Sequence, residues 1–517
     1  MTMPSILFLN TATTPEEPRF FRDLNLDQVT NRVFAGMDDW KPLFYAALKT
    51  PDAILQRQSV MRDIEHAGVQ ATLRAFTSAM RDLEALRHRA ETTYYPLQQH
   101  LWFLEAAHTY CQLVERLVVE LADTGGVESD GLRAVLHDAV EYVASDGFRD
   151  LARETAERRA ELEAIRYSLH IRGNVVTVRS DGDTTDYRRD IEETFNRFRS
   201  QTVRPTTRAI SDPPDMNHVE AQILDRVARL NPGPFMKLAA YVGTYHERFV
   251  DPGIAQFHFE VQFYLKYWEF MHALAQHGLV FCYPEIATDG GDIYVHNGFD
   301  MALADKLSQI SRAPTVNDFS LRDSEQMAVV TGPNQGGKST FARMVGQVHH
   351  VARLGLPVPA RSARLSVCDH IFTHFESGEP SPHVDGKLAD DLRRIRAILQ
   401  EATSQSLIIL NEIFSSTTLK DARFLGERIL ERITAKGANA VVVTFIEEWA
   451  VFNEKTVSLV SEVLPDNPSR RTFKILRQPS GGRSYAMMLA RKHGLTYAEI
   501  KERIGNASEL DASRASV

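Results

Sequence analysis

One stretch limits what this chain can fold into more than any other: Val330-Thr331-Gly332-Pro333-Asn334-Gln335-Gly336-Gly337-Lys338-Ser339-Thr340. Gly332 to Ser339 fits G-x-x-x-x-G-K-[ST], with the apolar run Met327 to Val330 before it and a helical pattern after it. Strand, small-residue loop and helix in that order form the context the pattern requires. Small residues let backbone N–H groups turn inward around phosphate oxygens, and the following helix adds the positive end of its dipole. Lys338 then reaches the β- and γ-phosphates, and Ser339 offers its hydroxyl to Mg²⁺. Gly332, Pro333, Asn334, Gly336, Gly337 and Thr340 complete the expected phosphate cradle, with Asn334 and Thr340 as secondary contacts.

A chain of 517 residues is expected to hold more than one domain, because single cores stop growing near 250–300 residues. The formal net charge of −9 supplies no global basic field, so any DNA contact has to use a local patch. Cys111, Cys282 and Cys368 are odd in number and far apart. They form no disulfide framework, which suits a reducing cytoplasm. The start lacks a basic n-region, and no uninterrupted apolar run approaches the roughly 20 residues of a membrane span. A cytoplasmic, soluble protein is expected.

From Phe20 to about His277 the pattern is mostly helical. Phe103, Ala107, Tyr110, Val114, Leu117 and Leu121 make the apolar stripe of a long amphipathic helix. Further helices are expected at about 52–66, 70–92, 131–143, 147–168, 186–200, 217–230 and 254–278. Phe263, Tyr264, Tyr267, Trp268 and Phe270 lie on the last of these. They read as helix–helix core rather than a base-stacking platform, because basic residues are not interleaved with them. Two β-like runs around Gly173-Asn174, within 167–180, predict a small hairpin capping a helical arm. Arg149 to Arg208 holds thirteen Arg and no Lys against eleven Asp and Glu. That near-neutral balance reads as a solvated helical surface rather than a DNA-gripping patch. Gln201 to Asp215, with three prolines, is the best linker candidate.

After Pro284 short apolar runs alternate with helices, the α/β signature. Ser406 to Leu410 and Ala440 to Thr444 read as buried parallel strands, with a crossover helix from Asp421 to Ala435 closed by Gly437. Arg471 to Arg477 predicts a strand and Ser484 to His493 a helix. Thr496 to Glu499 is a capping box opening a last helix. Four apolar residues, Leu407 to Leu410, are followed by Asn411 and Glu412. Polar residues at a strand's carboxyl end stand where ligands bind in an open α/β sheet. In an ATPase with this loop the first such residue helps hold Mg²⁺ and the second polarises water. Asn411 is neutral where Asp is usual, so slow hydrolysis is expected, with Glu412 acting on water.

With both motifs in view, the back half resembles the ATPase domain of the MutS family of DNA mismatch repair proteins. Thr331 to Thr340 differs from the family's usual loop chiefly at Gln335, where Met is common. Ile371-Phe-Thr-His374 resembles the I-F-T-R strand, and Leu407 to Ile413 the Walker B segment. Phe414 to Asp421 stands in place of the G-R-G-T-S-x-x-D turn, and Tyr485 with Ala490 to Gly494 matches the S-Y-G…A-x-x-A-G helix. More loosely, Phe21 to Gln28 and Ile54 to Glu65 are similar to the helical core and lever.

Three departures stand out. The chain opens almost at once on core-like sequence, so the family's mismatch-reading module with its Phe-x-Glu wedge is expected to be absent. The clamp is reduced to the hairpin near Gly173. The T-H-Y switch becomes Thr444-Phe445-Ile446, and the trans-acting serine loop falls near Asp385 to Leu388 without its serine, where Lys387 is the available substitute. Cys368, His370 and His374 offer soft ligands that would share one strand face. However, they coincide with a family strand, and no CxxC or HExxH supports zinc.

The expected architecture is an α-helical core and lever region followed by an α/β P-loop NTPase domain. The segments are 1–285 helical with the hairpin arm, 286–505 the ATPase domain with C-terminal dimerisation helices, and 506–517 a flexible tail. The resemblance implies ATP and Mg²⁺ as cofactors, with Lys338 and Glu412 catalytic and Ser339 and Asn411 at the metal. Asn317 stands where the family has its N-D-like turn beside the adenine, with Pro314 replacing the stacking aromatic. A homodimer through the ATPase domain is implied, with double-stranded DNA as partner and no membrane. The expected function is a nucleotide-gated ATPase acting on DNA in repair or recombination. The alternative is a nucleotide-switched interaction or scaffold protein that does not bind DNA.

Overall fold

The computed structural model describes residues 3–8, 15–180, 216–288, 291–322, 324–375, 387–464, 471–479 and 495–501. Outside them lie the helix read over 186–200, the linker over Gln201 to Asp215, Asp385 and Gly386, the helix over Ser484 to His493 and the tail from Asn506. The chain falls into two compact units, one of Met1–Ser5 with Asp63–Val261 and one of Ile6–Arg62 with Gln262–Val517. This grouping differs from a single cut at residue 285. The physical reason is burial: residues 6–62 lay their apolar side chains against the C-terminal unit's own elements, as set out below.

In the first unit the helices Ala67–Thr92 and Pro96–Asp123 pack against each other. Phe103, Ala107, Tyr110, Val114, Leu117 and Leu121 are all buried along the second of them, as the period of the stripe requires. Two serines open the next helices: Ser129 accepts from the Leu132 N–H and Ser145 from the Phe148 N–H. Each hydroxyl satisfies a backbone donor that a helix start leaves without a partner. The helix expected over 147–168 stops at Glu163. Strand β1 (Tyr167–Arg172) needs extended backbone to pair with β2 (Val175–Ser180) across the Gly173-Asn174 turn, and a helix reaching residue 168 would forbid that ladder. Pro232–Tyr245, which is not among the expected helices, is helical despite its Pro-Gly-Pro start. Proline at the first helical position has no N–H to lose, which is why the helix tolerates it.

The second unit holds a six-stranded sheet whose strands lie side by side in the order Arg471–Arg477, Thr456–Val463, Met327–Thr331, Asn439–Val443, Leu407–Asn411 and Ile371–Phe375. Its strands are β6 (Met327–Thr331), β8 (Ile371–Phe375), β9 (Leu407–Asn411), β10 (Asn439–Val443), β11 (Thr456–Val463) and β12 (Arg471–Arg477). Neighbours pair in parallel except β12, which runs antiparallel to β11 at the edge. A smaller sheet orders β3 (Glu285–Ala287), β7 (Ser362–Ser366), β4 (Ile293–Gly298) and β5 (Asn317–Leu321) as β3-β7-β4-β5. Every residue of β6 and β9 is buried, the mark of parallel strands covered on both faces. On one face Met327, Val329, Ile408, Leu410 and Val442 join Ile395, Leu399, Ile429 and Ile433 of the helices Lys387–Glu401 and Leu419–Lys436. On the other lies the helix Lys338–Arg353, whose Gly346 leaves room for Ile409 and Leu24.

That helix is also where residues 6–62 pack. Phe21 and Phe44 place their rings 5.0 and 5.7 Å from the His350 ring, and His350 Nε2–H donates to Phe44 O at 2.9 Å. The buried Arg57 donates from Nη1 to Leu354 O at 2.9 Å and from Nε to Leu7 O at 3.0 Å. Phe263, Tyr264, Tyr267 and Phe270 are buried, as expected of core. Tyr267 donates its hydroxyl to Pro357 O at 2.7 Å, so the ring's polar end is satisfied as well.

Burial holds the His349 imidazole down to about 4 and that of His350 down to about 3. Above about pH 6.5, the unfolded value, both rings are neutral in either state and their contribution to stability is whole. As pH falls below that value the unfolded chain takes up protons the folded helix refuses, so stability drops. The urea midpoint is expected to hold level between about pH 8 and 7 and to fall from about pH 6.5 to 5, above the carboxylate range. A midpoint that stays level through that lower window would show that these rings protonate in place.

Candidate nucleotide site at the carboxyl ends of the central strands

Register brings the motifs together. Val330 of β6 pairs with Val443 of β10, and Val443 pairs with Asn411 of β9. The ladder runs one residue further, since Thr444 N–H donates to Val330 O at 3.1 Å and Glu412 N–H to Val443 O at 2.9 Å. Thr331, Thr444 and Glu412 therefore leave the sheet side by side, although 113 residues separate the first two in sequence (444 − 331).

The loop Gly332 to Gly337 leads from β6 into the helix that Lys338 opens. Its turn depends on glycine, most plainly at Gly336 and Gly337. Gly337, the residue before the helix, sits at φ +91°, where a Cβ is strained. A Cβ on Gly336 would fall 2.3 Å from Ser461 Oγ and 2.9 Å from Pro333 O. Ser461, buried on β11, donates its hydroxyl to Gly336 O at 2.8 Å and so ties the loop to the neighbouring strand. Gln335, at φ +59°, is exposed with Asn334 at the loop tip, while Pro333 is buried and Ser339 and Thr340 are half-buried.

Lys338 is 4% exposed. Its Nζ donates to Gly332 O at 2.9 Å and Pro333 O at 3.1 Å, and lies 3.7 Å from Glu412 Oε1. Burial pushes this ammonium down from its ordinary value, and the Glu412 carboxylate works against that push. Glu412 and Phe414 both adopt positive φ, at +53° and +63°, so the turn after β9 holds backbone strain of a kind that collects at functional sites. Asn411 is buried and its Oδ1 has no hydrogen-bond partner. An orphaned buried carbonyl oxygen beside Lys338 and Glu412 fits an oxygen-seeking cation or its water shell. At the end of β10, Thr444 Oγ1 accepts from Ile446 N–H at 3.0 Å, and Phe445 stands exposed.

The structure thus gathers the loop residues, Lys338, Asn411 and Glu412. Asn317 is placed differently. It opens β5, where its Nδ2 donates to Phe473 O at 3.1 Å and its Oδ1 accepts from Ile475 N–H at 2.8 Å. Both ends of the amide are engaged by β12, whose register shifts there and whose Phe473 sits at φ +60°. Phe473 in turn backs onto Gly337, where an added Cβ would meet its Cβ at 3.4 Å. No motif in the sequence points to Ser461 or Phe473. The only signal for Ser461 is a small polar residue inside an apolar strand, and many such residues carry nothing.

The Cys368, His370 and His374 group does not assemble. His374 is buried and meets Asp391 Oδ1 through Nε2 at 3.1 Å, whereas His370 is exposed. Among the described residues the one set close enough to share an ion is His137, Asp138 and Glu141. If Asn317 is a clamp between the two sheets, Asn317→Ala leaves the Ile475 N–H buried without an acceptor and costs about 1–3 kcal/mol. Urea unfolding without nucleotide measures this. Unchanged stability with weakened nucleotide binding would instead make Asn317 a direct ligand contact.

Comparison with known proteins finds its matches in the stretch that carries this site. Residues 328–510 match the family model for MutS domain V. The DNA mismatch repair protein MutS of Aquifex pyrophilus is 27% identical over 228 residues, 43% of this chain and 27% of the relative. The Endonuclease MutS2 of Thermomicrobium roseum is 33% identical over 201 residues, 38% of this chain and 25% of the relative. The Endonuclease MutS2 of Thermus thermophilus is 29% identical over 188 residues, again 25% of the relative. The matched stretch spans about a quarter of the length of these relatives. Over residues 328–510 the chain is therefore similar to the proteins of the MutS family and matches their domain V.

Proposed function

We propose that this protein is a MutS-type ATPase of the P-loop fold that binds ATP in the loop after β6, hydrolyses it slowly, and works in the cytoplasm as a nucleotide-gated dimer on DNA in repair or recombination. The observation that carries this reading is the convergence of a buried Lys338, a strained Glu412 and an orphaned Asn411 oxygen at the ends of adjacent parallel strands. Lys338 now holds two loop carbonyls. Phosphate oxygens are stronger acceptors than these carbonyls, so a bound phosphate would draw the ammonium from one to the other. The helix that Lys338 opens leaves its first N–H groups without intrahelical acceptors, and these favour negative charge. Glu412 orients water and draws on its proton.

Ser339 and Asn411 would hold Mg²⁺, which when bound supplies positive charge against the phosphoryl oxygens. Asn411 contributes a dipole instead of a full charge, and this is the physical basis for slow turnover. Support for association comes from Leu419, Phe424, Phe445 and Val451, apolar side chains left exposed in the segments after β9 and β10. No described helix is long and apolar enough to cross a membrane.

The test is steady-state ATP turnover with and without linear, branched and mismatched duplex DNA. Lys338→Ala is expected to remove both binding and turnover, and Glu412→Ala to keep binding while turnover falls by roughly 10²–10⁴. Asn411→Asp is expected to raise turnover. Turnover altered by one DNA form supports a DNA-gated ATPase. Turnover indifferent to every form sinks the DNA part and favours the nucleotide-switched interaction protein, while bound ATP with no turnover sinks hydrolysis.

A further inference from the structure

With 68 acidic against 59 basic residues, an unanswered cluster of cations is informative wherever it survives. On the helices Lys387–Glu401 and Leu419–Lys436 most arginines have a carboxylate. Arg393 meets Asp390, Arg394 lies 3.7 Å from Asp23, Arg423 meets both Glu427 and Glu448 at 3.0 Å, and Arg428 meets Glu431 at 2.9 Å. Arg396 and Arg432 differ. Both are exposed, and neither is paired with any described carboxylate.

These two line a single groove between the helices, about 660 Å³ in volume, together with Leu399, Gln400, Ala435 and Lys436. Lys436 turns one N–H to Ala402 O at 2.8 Å. The lining holds three cations and an amide and no carboxylate, which favours an anionic occupant. We propose that this groove seats the phosphodiester backbone of double-stranded DNA.

The chemistry selects that occupant. Guanidinium forks match phosphate oxygens two at a time, and Gln400 adds a neutral donor of the kind that positions a backbone. No aromatic residue lines the groove, so it lacks the stacking platform that single strands use. An open groove carrying only positioning contacts suits a duplex held without regard to sequence. The proposal rests on the reading that the protein acts on DNA, and it says where the local patch lies that a net charge of −9 requires.

The experiment is fluorescence anisotropy of a labelled duplex of about 30 base pairs, titrated with the full chain at several salt concentrations. The variant is Arg396→Ser with Arg432→Ser. Its Kd is expected to rise at least roughly tenfold near 100 mM salt, and the slope of log K against log salt to shrink by about 2, one counterion for each lost phosphate contact. The double lysine variant should restore most of the slope, and ATP turnover without DNA should match the unaltered chain, which shows that the fold is intact. An unchanged slope in the serine pair, with duplex still bound, overturns the groove and leaves the DNA reading standing. An equal loss from Arg393→Ser, whose cation is already paired, reduces the effect to bulk charge and also overturns it. No duplex binding by the unaltered chain near 20 mM salt overturns both the groove and the DNA reading.

Discussion

A buried ammonium is costly unless its donors are met, and the region around Lys338 is arranged to meet them. Its Nζ is taken by the carbonyls of Gly332 and Pro333, with the Glu412 carboxylate close enough to favour the charged form. Those carbonyls face inward only because the loop turns as it does. The turn in turn depends on a glycine against Ser461 and another at positive φ before the helix. Around the loop stand central strands buried on both faces and a helix that is buried over nearly its whole length. A helix so deeply set cannot shift to relieve strain at its first residue. The geometry at Lys338 is therefore held by packing many residues away.

Much of that packing comes from the start of the chain. Phe21 and Phe44 close around His350, Leu24 fits against Gly346, and Arg57 satisfies the Leu354 carbonyl at the helix end. Residues 6–62 thus complete the surround of the helix that Lys338 opens. On the opposite face of the sheet, the helices Lys387–Glu401 and Leu419–Lys436 share a core with the same strands through Ile395, Leu399, Ile429 and Ile433. Their inner faces pack on the central strands and their outer faces carry the charge. Trp449 fills the space that Gly426 leaves open, which anchors the segment after β10 to this layer.

In the proposed reaction, neutral Asn411 and the positive-φ turn at Glu412 would act on different parts of the same chemistry. The turn places the carboxylate 3.7 Å from Lys338 Nζ, a matter of position, while the amide would give a bound metal a weaker field than a carboxylate, a matter of charge. A site with good position and weak charge suits a device whose bound state has to persist. In the family, Asp is usual at 411 and a histidine follows the residue equivalent to Thr444. This chain changes both, with Phe445 exposed where that histidine would be.

The sequence by itself determined the loop, the paired polar residues after β9 and the alternation of strands with helices. Each of these is a local pattern in which residue type and spacing already carry the physics. Gly332 to Ser339 cannot form such a cradle with larger residues, and Leu407 to Leu410 cannot be a surface strand. Tertiary structure alone decided the roles of Asn317, Ser461 and Phe473. Their partners lie 156, 125 and 136 positions away, at Phe473, Gly336 and Gly337. It also decided that residues 6–62 belong with the C-terminal unit, because aromatic residues in short helices carry no period long enough to say which core they join. A shared pattern along one segment can be read in one dimension. A shared contact between distant segments exists only once the strands have chosen their neighbours.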